Sequence, residues 1–170
     1  MMDPNFKIGL EPLLCENPRI LVLGSLPSDK SIQRQEYYGN PKNLFWRVIA
    51  GVFDTDIPTD YNRKINLLAD KGIVLWDIYH SAHREGSLDS NIAEPEFNDI
   101  ASLLRDYPSI KTIALNGGTA EKGFKRYRRT CNPDISDITI IPLKSTSSMV
   151  VTAGWNLERL TEQWRLISEI

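Results

Sequence analysis

The sequence is poor in side chains that bind metals or form disulfides. It contains two cysteines, Cys15 and Cys131, and two histidines, His80 and His83, among 170 residues. The cysteines have no partners at metal-ligand spacing, so we expect two reduced thiols and no zinc or iron–sulfur site. Nothing in the sequence pairs either histidine with a base or a metal, so neither is expected to be catalytic. We therefore predict no metal and no cofactor.

Long apolar runs and a strong net charge are also lacking. No run approaches the roughly 18 apolar residues that span a bilayer, and the first 18 residues have no apolar signal core. We therefore expect a cytoplasmic protein without a membrane partner. The net charge of −2 argues against a strongly basic nucleic-acid binder. Five cations between Lys122 and Arg129 are the exception, and they form either a solvated helix face or a phosphate-contacting patch.

Two common nucleotide-binding motifs are missing. The chain has neither a G-x-x-x-x-G-K-[ST] phosphate loop nor a G-x-G-x-x-G fingerprint. Gly117-Gly118 at the start of a predicted helix could bind a phosphate at the helix N-terminus. A tight turn from strand to helix explains the same two glycines.

Short apolar strands alternate with helical segments along the chain. We predict strands over 19–23, 73–78, 111–115 and 138–142, and helices over 43–53, 61–71, 96–106, 119–129 and 156–168. A long loop is predicted from Tyr79 to Pro95. This alternation is typical of a parallel sheet covered by helices on both faces. The sequence therefore predicts one α/β domain over residues 1–170.

The segment 24–46, GSLPSDKSIQRQEYYGNPKNLFW, is a long loop between a predicted strand and a predicted helix. A loop of this length in a small domain is usually functional or disordered, and its aromatic content favours function. We interpret it as a pocket loop with Asn43 as its chemical residue. Tyr37, Tyr38 and Trp46 are either core anchors or stacking partners for a planar ligand.

Four polar loops leave the predicted strands at their carboxyl ends. In a parallel sheet these ends share one edge, where ligands bind. The loops are Gly24–Pro27, Asp77–Ser81, Asn116–Gly118 and Lys144–Ser148. Asp77 is either a capping or salt-bridged aspartate or a carboxylate that accepts an N–H from a bound base. The serines and threonine from 145 to 148 either bind a phosphodiester or form an ordinary polar loop.

Several segments together resemble the uracil-DNA glycosylase superfamily, and most closely its hypoxanthine-DNA glycosylase branch (family six). They are VLGSLPSDKS, QEYYGNPKNLFWRVI, GIVLWDI with the following SAHREGSLDSNI, ALNGGTAEKGF and LKSTSS, and they cover roughly residues 20–148. The resemblance implies a three-layer α/β/α sandwich with a four-stranded parallel sheet. It also implies a monofunctional enzyme of base excision repair that flips a deaminated base out of the duplex and hydrolyses its N-glycosidic bond. Hypoxanthine is the expected base, with uracil as a second substrate.

The resemblance also assigns roles to individual residues. The catalytic asparagine of the YYxxPxN segment falls on Asn43. Leu26 stands where the uracil branch has its water-activating aspartate, and an apolar side chain cannot activate water. Tyr38 matches the aromatic residue that stacks on the flipped base, and Asp77 aligns with the uracil-reading asparagine. The other expected base-binding residues are Gly24, Ser25, Trp46 and Asn116.

The LKSTSS segment matches the second motif of the superfamily, which reaches the minor groove. With it we expect a DNA-binding set, namely Ser28, Lys144, Ser145, Thr146, Ser147, Ser148 and Met149. Met149 is a candidate wedge into the vacated base stack. The segment lacks the histidine of the uracil branch and the proline expected in the hypoxanthine branch.

The sequence leaves open the protonation state of Asp77 and the choice among three functions. Asp77 as a carboxylate could accept the N1–H of hypoxanthine, whereas a protonated Asp77 would not oppose an anionic leaving base. Two other functions compete: a non-catalytic binder of damaged or mispaired DNA, and a small-molecule enzyme that binds a nucleotide at Gly117-Gly118. We expect a monomer that associates with the nucleoid.

Overall fold

The computed structural model describes residues 2–170. It contains seven strands and six α-helices, with short 3₁₀ segments at 89–91, 148–153 and 165–169. The strands are β1 (Phe6–Ile8), β2 (Ile20–Gly24), β3 (Ile73–Asp77), β4 (Tyr79–His83), β5 (Ala93–Phe97), β6 (Thr112–Asn116) and β7 (Thr139–Leu143). The helices are α1 (Asp29–Arg34), α2 (Phe45–Val52), α3 (Tyr61–Asp70), α4 (Ile100–Asp106), α5 (Gly118–Cys131) and α6 (Leu157–Trp164).

The main sheet has four parallel strands in the order β3-β2-β6-β7. Every residue of β2 and of β6 is buried, which is why these strands read as continuous apolar runs. After β2 the chain adds β3 on one side, and it later adds β6 and β7 on the other side of β2. A topological switch point therefore lies between β2 and β6. Each of the four predicted strands starts and ends within one residue of an observed one. The predicted parallel sheet is confirmed.

Helices cover both faces of this sheet. On one face, Phe45 of α2 and Trp164 of α6 pack against Val22 and other residues of the sheet. On the other face, Phe124 of α5 and Ile100 of α4 form a second core cluster. Alternate residues of each buried strand point to opposite faces, so every strand contributes to both clusters. The predicted three-layer architecture is confirmed.

A second, antiparallel sheet was not predicted. It has three strands in the order β1-β4-β5, and it occupies much of the segment predicted as a loop from Tyr79 to Pro95. The prediction of a helix from residue 96 is wrong at its start. Phe97 ends β5, where its ring lies 5.8 Å from that of Tyr79. The helix begins at Ile100, and the side chain of Asp99 caps it by accepting a hydrogen bond from the Ser102 N–H.

Within the long loop 24–46, six residues form α1. The side chain of Ser28 caps this helix by accepting a hydrogen bond from the Ser31 N–H at 3.2 Å. Within residues 2–170, no helix is both long and apolar enough to cross a membrane.

Candidate active site

A cleft of about 480 Å³ opens at the carboxyl edge of the main sheet, beside the switch point between β2 and β6. Its lining includes residues from all four loops predicted to meet at this edge. From the predicted set it contains Gly24, Ser25, Ser28, Tyr38, Asn43, Asp77, Asn116, Lys144, Ser145, Thr146, Ser147, Ser148 and Met149. The convergence predicted from the strand pattern is therefore observed.

A hydrogen-bond chain fixes Asn43 at one side of the cleft. The Asn116 amide donates from Nδ2 to the Thr146 hydroxyl at 3.0 Å, and that hydroxyl donates to Asn43 Oδ1 at 2.8 Å. The Thr146 N–H donates back to Asn116 Oδ1 at 3.0 Å. The Phe45 N–H is a second donor to Asn43 Oδ1 at 2.9 Å. Three separate elements therefore hold one amide.

This chain determines which way the Asn43 amide points. Both donors meet its oxygen, so its Nδ2 is the end left for a ligand. No residue in the described part of the chain forms a hydrogen bond with Asn43 Nδ2. Asn43 thus presents amide N–H donors to the cleft, and these can hold a water molecule but cannot remove its proton.

Asp77 provides an unsatisfied acid deep in the cleft. The residue is 6% exposed, and its Oδ2 has no hydrogen-bond partner among the residues described. Burial, with a smaller contribution from the charge of Asp89, raises the pKa of Asp77 to about 7, against the opposing effect of Arg84. A Cβ on Gly24 would lie 2.5 Å from Asp77 Oδ1, so glycine is required opposite this carboxyl group.

Tyr38 contributes an aromatic ring to the cleft wall. The ring stacks on Phe45, with centroids 4.0 Å apart and planes inclined by 19°. Its hydroxyl accepts a hydrogen bond from Asn116 Nδ2 at 3.0 Å. The backbone of Tyr38 is left-handed, with φ of 52°, which turns the chain between α1 and Asn43. Burial raises the pKa of the Tyr38 hydroxyl well above its usual value, so the group stays protonated.

Trp46 requires a correction. It is buried and does not line the cleft, because its indole N–H donates to the Tyr37 carbonyl at 3.1 Å. The ring meets Tyr38 edge-on, with centroids 6.5 Å apart. Trp46 therefore packs against Tyr38 from behind, outside the cleft lining where the predicted base contact would be made.

The loop Lys144–Met149 closes the opposite side of the cleft. Thr146 was predicted to bind DNA, but it is 0% exposed and its polar groups are used within the protein. It is a positioning residue for Asn43. Ser147 caps the 3₁₀ segment that follows, and Met149 is 60% exposed at the rim of the cleft. Its position is compatible with the predicted wedge.

The glycine pair at the start of α5 lies outside the cleft lining. A Cβ on Gly117 would lie 2.8 Å from the Cβ of Ser145, and the residue has φ of 98°. The glycine therefore allows a tight turn and a close approach of two loops, which fits the tight-turn explanation of the glycine pair. The cations of α5 from Lys122 to Arg129 are all exposed and do not line the cleft either.

The sequence did not reveal the role of Arg84. This residue is 1% exposed, and its guanidinium donates to the Pro27 carbonyl at 2.6 Å and the Gly86 carbonyl at 2.8 Å. An ion pair with Asp29 measures 3.4 Å. Arg84 therefore ties the β4–β5 connection to the loop that follows β2. An arginine between two short strands has no distinctive local pattern, so only the fold could identify it.

The same connection carries Asp89, which accepts a hydrogen bond from the Ser25 hydroxyl at 2.8 Å. Ser87 accepts one from the Asp29 N–H at 3.0 Å.

Residues 2–170 contain no group of three or more His, Cys, Asp or Glu side chains that could hold a metal ion.

Comparison with known proteins gives consistent similarities. Residues 11–167 match the profile of the uracil DNA glycosylase superfamily. A protein named hypoxanthine DNA glycosylase from Methanosarcina acetivorans is 43% identical over 115 residues, which are 67% of this chain and 73% of that protein. A protein of the same name from Methanosarcina barkeri is 38% identical over 112 residues, or 65% of this chain and 71% of that protein.

One solved structure extends the similarity to the fold. It is the solution NMR structure of a Methanosarcina acetivorans protein provisionally described as a uracil DNA glycosylase. The TM-score is 0.77 at 33% identity, and the alignment covers 96% of this chain and 99% of that chain.

Proposed function

The chain belongs to the uracil DNA glycosylase superfamily, and on this basis we propose that it is a monofunctional DNA glycosylase that releases hypoxanthine from deoxyinosine in DNA. The superfamily assignment confirms the resemblance drawn from the sequence segments. Two similar proteins named hypoxanthine DNA glycosylase support hypoxanthine as the base. DNA with a deaminated base would be the partner. A monomeric state and a place at the nucleoid stay predictions.

The unsatisfied carboxyl of Asp77 is the observation that supports a base with an N–H next to a carbonyl as the substrate. A buried polar atom without a partner is costly unless a ligand supplies the missing hydrogen bond. Hypoxanthine offers an N1–H donor next to the O6 acceptor. A protonated Asp77 matches this edge, because its carbonyl oxygen accepts from N1–H and its hydroxyl donates to O6. Uracil has the same N–H and carbonyl arrangement, which supports uracil as a second substrate.

The protonated form of Asp77 also suits the chemistry. The C1′–N9 bond breaks with its electron pair moving into the base, and negative charge builds up on the ring and O6. A hydroxyl donor to O6 stabilises this charge within a dry cleft, whereas a carboxylate would oppose it. We therefore favour the neutral acid as the form that acts during bond cleavage.

Asn43 positions the nucleophile in this proposal. One N–H of its amide donates to the oxygen of a water molecule, leaving a lone pair of that water for the electron-deficient C1′. The new C1′–O bond forms as the base leaves, and the proton released by the water balances the charge of the departing base. Since the sugar develops cationic character, a well-placed water needs no strong base. Tyr38 stacks on the flipped base and holds it in place.

The test is base release from duplex oligonucleotides that contain deoxyinosine or deoxyuridine, read as strand breakage after alkali. Asn43→Ala is expected to lower single-turnover release of hypoxanthine by about 100-fold or more, because the attacking water loses its fixed position. Circular dichroism and DNA affinity serve as controls for folding and binding. A wild-type protein that releases no deaminated base would reject the proposed activity. Full activity of Asn43→Ala would reject the role of Asn43.

A further inference from the structure

A second, smaller cavity lies behind the catalytic segment. It has a volume of about 220 Å³, and we call it the rear pocket. Tyr38, Asn40 and Asn43 line both the rear pocket and the main cleft. The segment from Tyr37 to Asn43 is therefore a wall between the two.

Three cations from three different helical elements line the rear pocket. They are Arg34 at the end of α1, Arg47 of α2 and Lys64 of α3. None of them forms an ion pair with a carboxylate within residues 2–170. Glu36 is the one acid in the lining, so the described pocket carries an excess of two positive charges.

Contacts with the wall and with an aromatic ring place these cations. Arg34 donates from Nη1 to the Gly39 carbonyl at 3.1 Å, and Arg47 donates from Nη2 to the Pro41 carbonyl at 2.8 Å. The Lys64 ammonium lies 5.5 Å from the centroid of the Trp46 ring. Each guanidinium uses one of its five N–H donors in these contacts, so most of them stay available for an anion.

Phosphate is the anion that this arrangement suits. Arginine forks bind phosphate oxygens with directional hydrogen bonds, and lysine adds a point charge. A DNA strand that delivers a nucleotide to Asn43 must pass close to the wall that Asn43 shares with the rear pocket. The neighbouring backbone phosphates of that strand are therefore the nearest source of such an anion.

We propose that the rear pocket binds a backbone phosphate of the DNA strand whose nucleotide occupies the main cleft. The site rests on the proposed function for the identity of its ligand. It anchors the strand on the far side of the catalytic segment, so that the segment is held between a flipped base and a bound phosphate.

Lys64 allows the cleanest test, because it forms no hydrogen bond with the wall. Lys71 provides a matched control, since its ammonium lies 5.1 Å from the centroid of the Phe53 ring and Lys71 does not line the pocket. Lys64→Met and Lys71→Met each remove one half-buried cation from an aromatic face. Lys64→Arg keeps the charge and serves as the rescue variant.

The measurement is the affinity for a duplex with one deoxyinosine across a range of NaCl concentrations, in the Asn43→Ala background, where base release is expected to be slower by about 100-fold or more. Lys64→Met should reduce the slope of log affinity against log salt by about 0.9, the value for one lost phosphate contact. Weaker binding by roughly two- to fivefold at low salt is expected for a partly exposed ion pair. Lys71→Met and Lys64→Arg should keep the original slope.

Equal slopes for Lys64→Met and Lys71→Met would overturn the proposal. Competition by inorganic phosphate together with equal slopes would also overturn it, in favour of a site for free anions. Because binding is measured separately from catalysis, the two proposals fail separately. A wild-type protein without glycosylase activity that still shows the difference in slope would reject the activity and keep the phosphate site.

Discussion

Thr146 shows how a residue with no proposed contact to the substrate can orient one that has such a contact, Asn43. Its hydroxyl accepts from Asn116 and donates to Asn43, so the direction of each hydrogen bond follows from the one before. Without that hydroxyl, the Phe45 N–H would be the one donor left to Asn43 Oδ1, so the amide would be held less firmly. The orientation of the Asn43 amide therefore depends on this chain of three residues together with the Phe45 N–H.

The first prediction concerns this chain. Thr146→Val removes the hydroxyl at nearly constant volume, and we expect single-turnover base release to fall by roughly tenfold while binding of substrate DNA is unchanged. Thr146→Ser keeps the hydroxyl and should retain most of the activity. Equal losses in both variants would show that the packing of Thr146, and not its hydrogen bond, matters to catalysis.

The second prediction follows from the raised pKa of Asp77, about 7. If the neutral acid is the active form, kcat/KM should fall as the pH rises through about 7. Asp77→Asn keeps one donor and one acceptor but does not titrate, so its activity should lose this dependence on pH. Asp106→Asn, a change of an exposed aspartate on α4, should leave the pH profile as it is. A profile of Asp77→Asn that still falls at the same pH would contradict the assignment.

Asp77 should also affect the stability of the free protein. Its pKa is raised from 3.8 to about 7 in the folded state, so the folded protein binds more protons than the unfolded chain between these values. The resulting contribution to stability is fully present below the unfolded pKa and is lost as the pH rises through the folded pKa. The melting temperature of the wild type should therefore decline between pH 5 and pH 8 more than that of Asp77→Asn. Parallel curves for the two proteins would argue against this sign.

At the scale of elements, the antiparallel sheet serves the cleft. Its β4–β5 connection contacts the loop after β2 through Arg84, through Ser87 and through Asp89. These contacts join the loop after β2, which lines the cleft, to a second sheet. The loop after β2 contains α1 and no other regular structure up to α2, so it needs this support from outside.

The third prediction tests this support. Arg84→Met leaves buried carbonyl groups of the loop without their donor and should lower the free energy of unfolding by about 2–4 kcal/mol. We also expect a higher KM for duplex substrate, because the loop forms part of the cleft wall. Arg84→Lys should recover only part of the stability, since a lysine cannot reach both carbonyls. Arg105→Met on the exposed surface of α4 is the control, and a similar loss there would contradict a specific brace.

At the scale of the molecule, the two core clusters share one sheet. Leu160 lies in the cluster on the α2 and α6 face, and Phe124 in the cluster on the α4 and α5 face. Strands β2, β3 and β6 supply side chains to both clusters. Loss of either cluster would therefore expose half of the same strands, and we expect the two faces to unfold together.

The fourth prediction is a single cooperative unfolding transition. Leu160→Ala and Phe124→Ala should each lower the free energy of unfolding by about 2–5 kcal/mol, as usual for a large cavity in a core. Three of the four tryptophans, Trp46, Trp155 and Trp164, lie in or against the α2 and α6 cluster, and Trp76 packs against the other. Tryptophan fluorescence therefore reports largely on the first face, whereas far-ultraviolet circular dichroism reports on the whole chain. The two signals should give the same midpoint in both variants. Separate midpoints for Phe124→Ala would show that the faces unfold as independent units.

The sequence by itself determined the main sheet and the position of the cleft. Buried parallel strands must be apolar on both faces, so each is visible as a short uninterrupted run, and their carboxyl ends must share an edge. The loops that leave these ends are then the candidate site, whatever the protein does. Asn43, Asp77 and Asn116 were chosen as candidates in this way before any side-chain position was known, and the resemblance supplied the proposed roles of Asn43 and Asp77.

Tertiary structure alone decided how those residues face one another. Both Tyr38 and Trp46 were predicted to contact the base, and only the packing of the folded chain separates Tyr38, which lines the cleft, from Trp46, which lies behind it. Thr146 is buried, and Arg84 binds the loop after β2, through contacts between segments far apart in the chain. The three cations of the rear pocket likewise come together only when three helical elements pack. Such contacts leave no local periodicity, so a pattern of polar and apolar residues cannot reveal them.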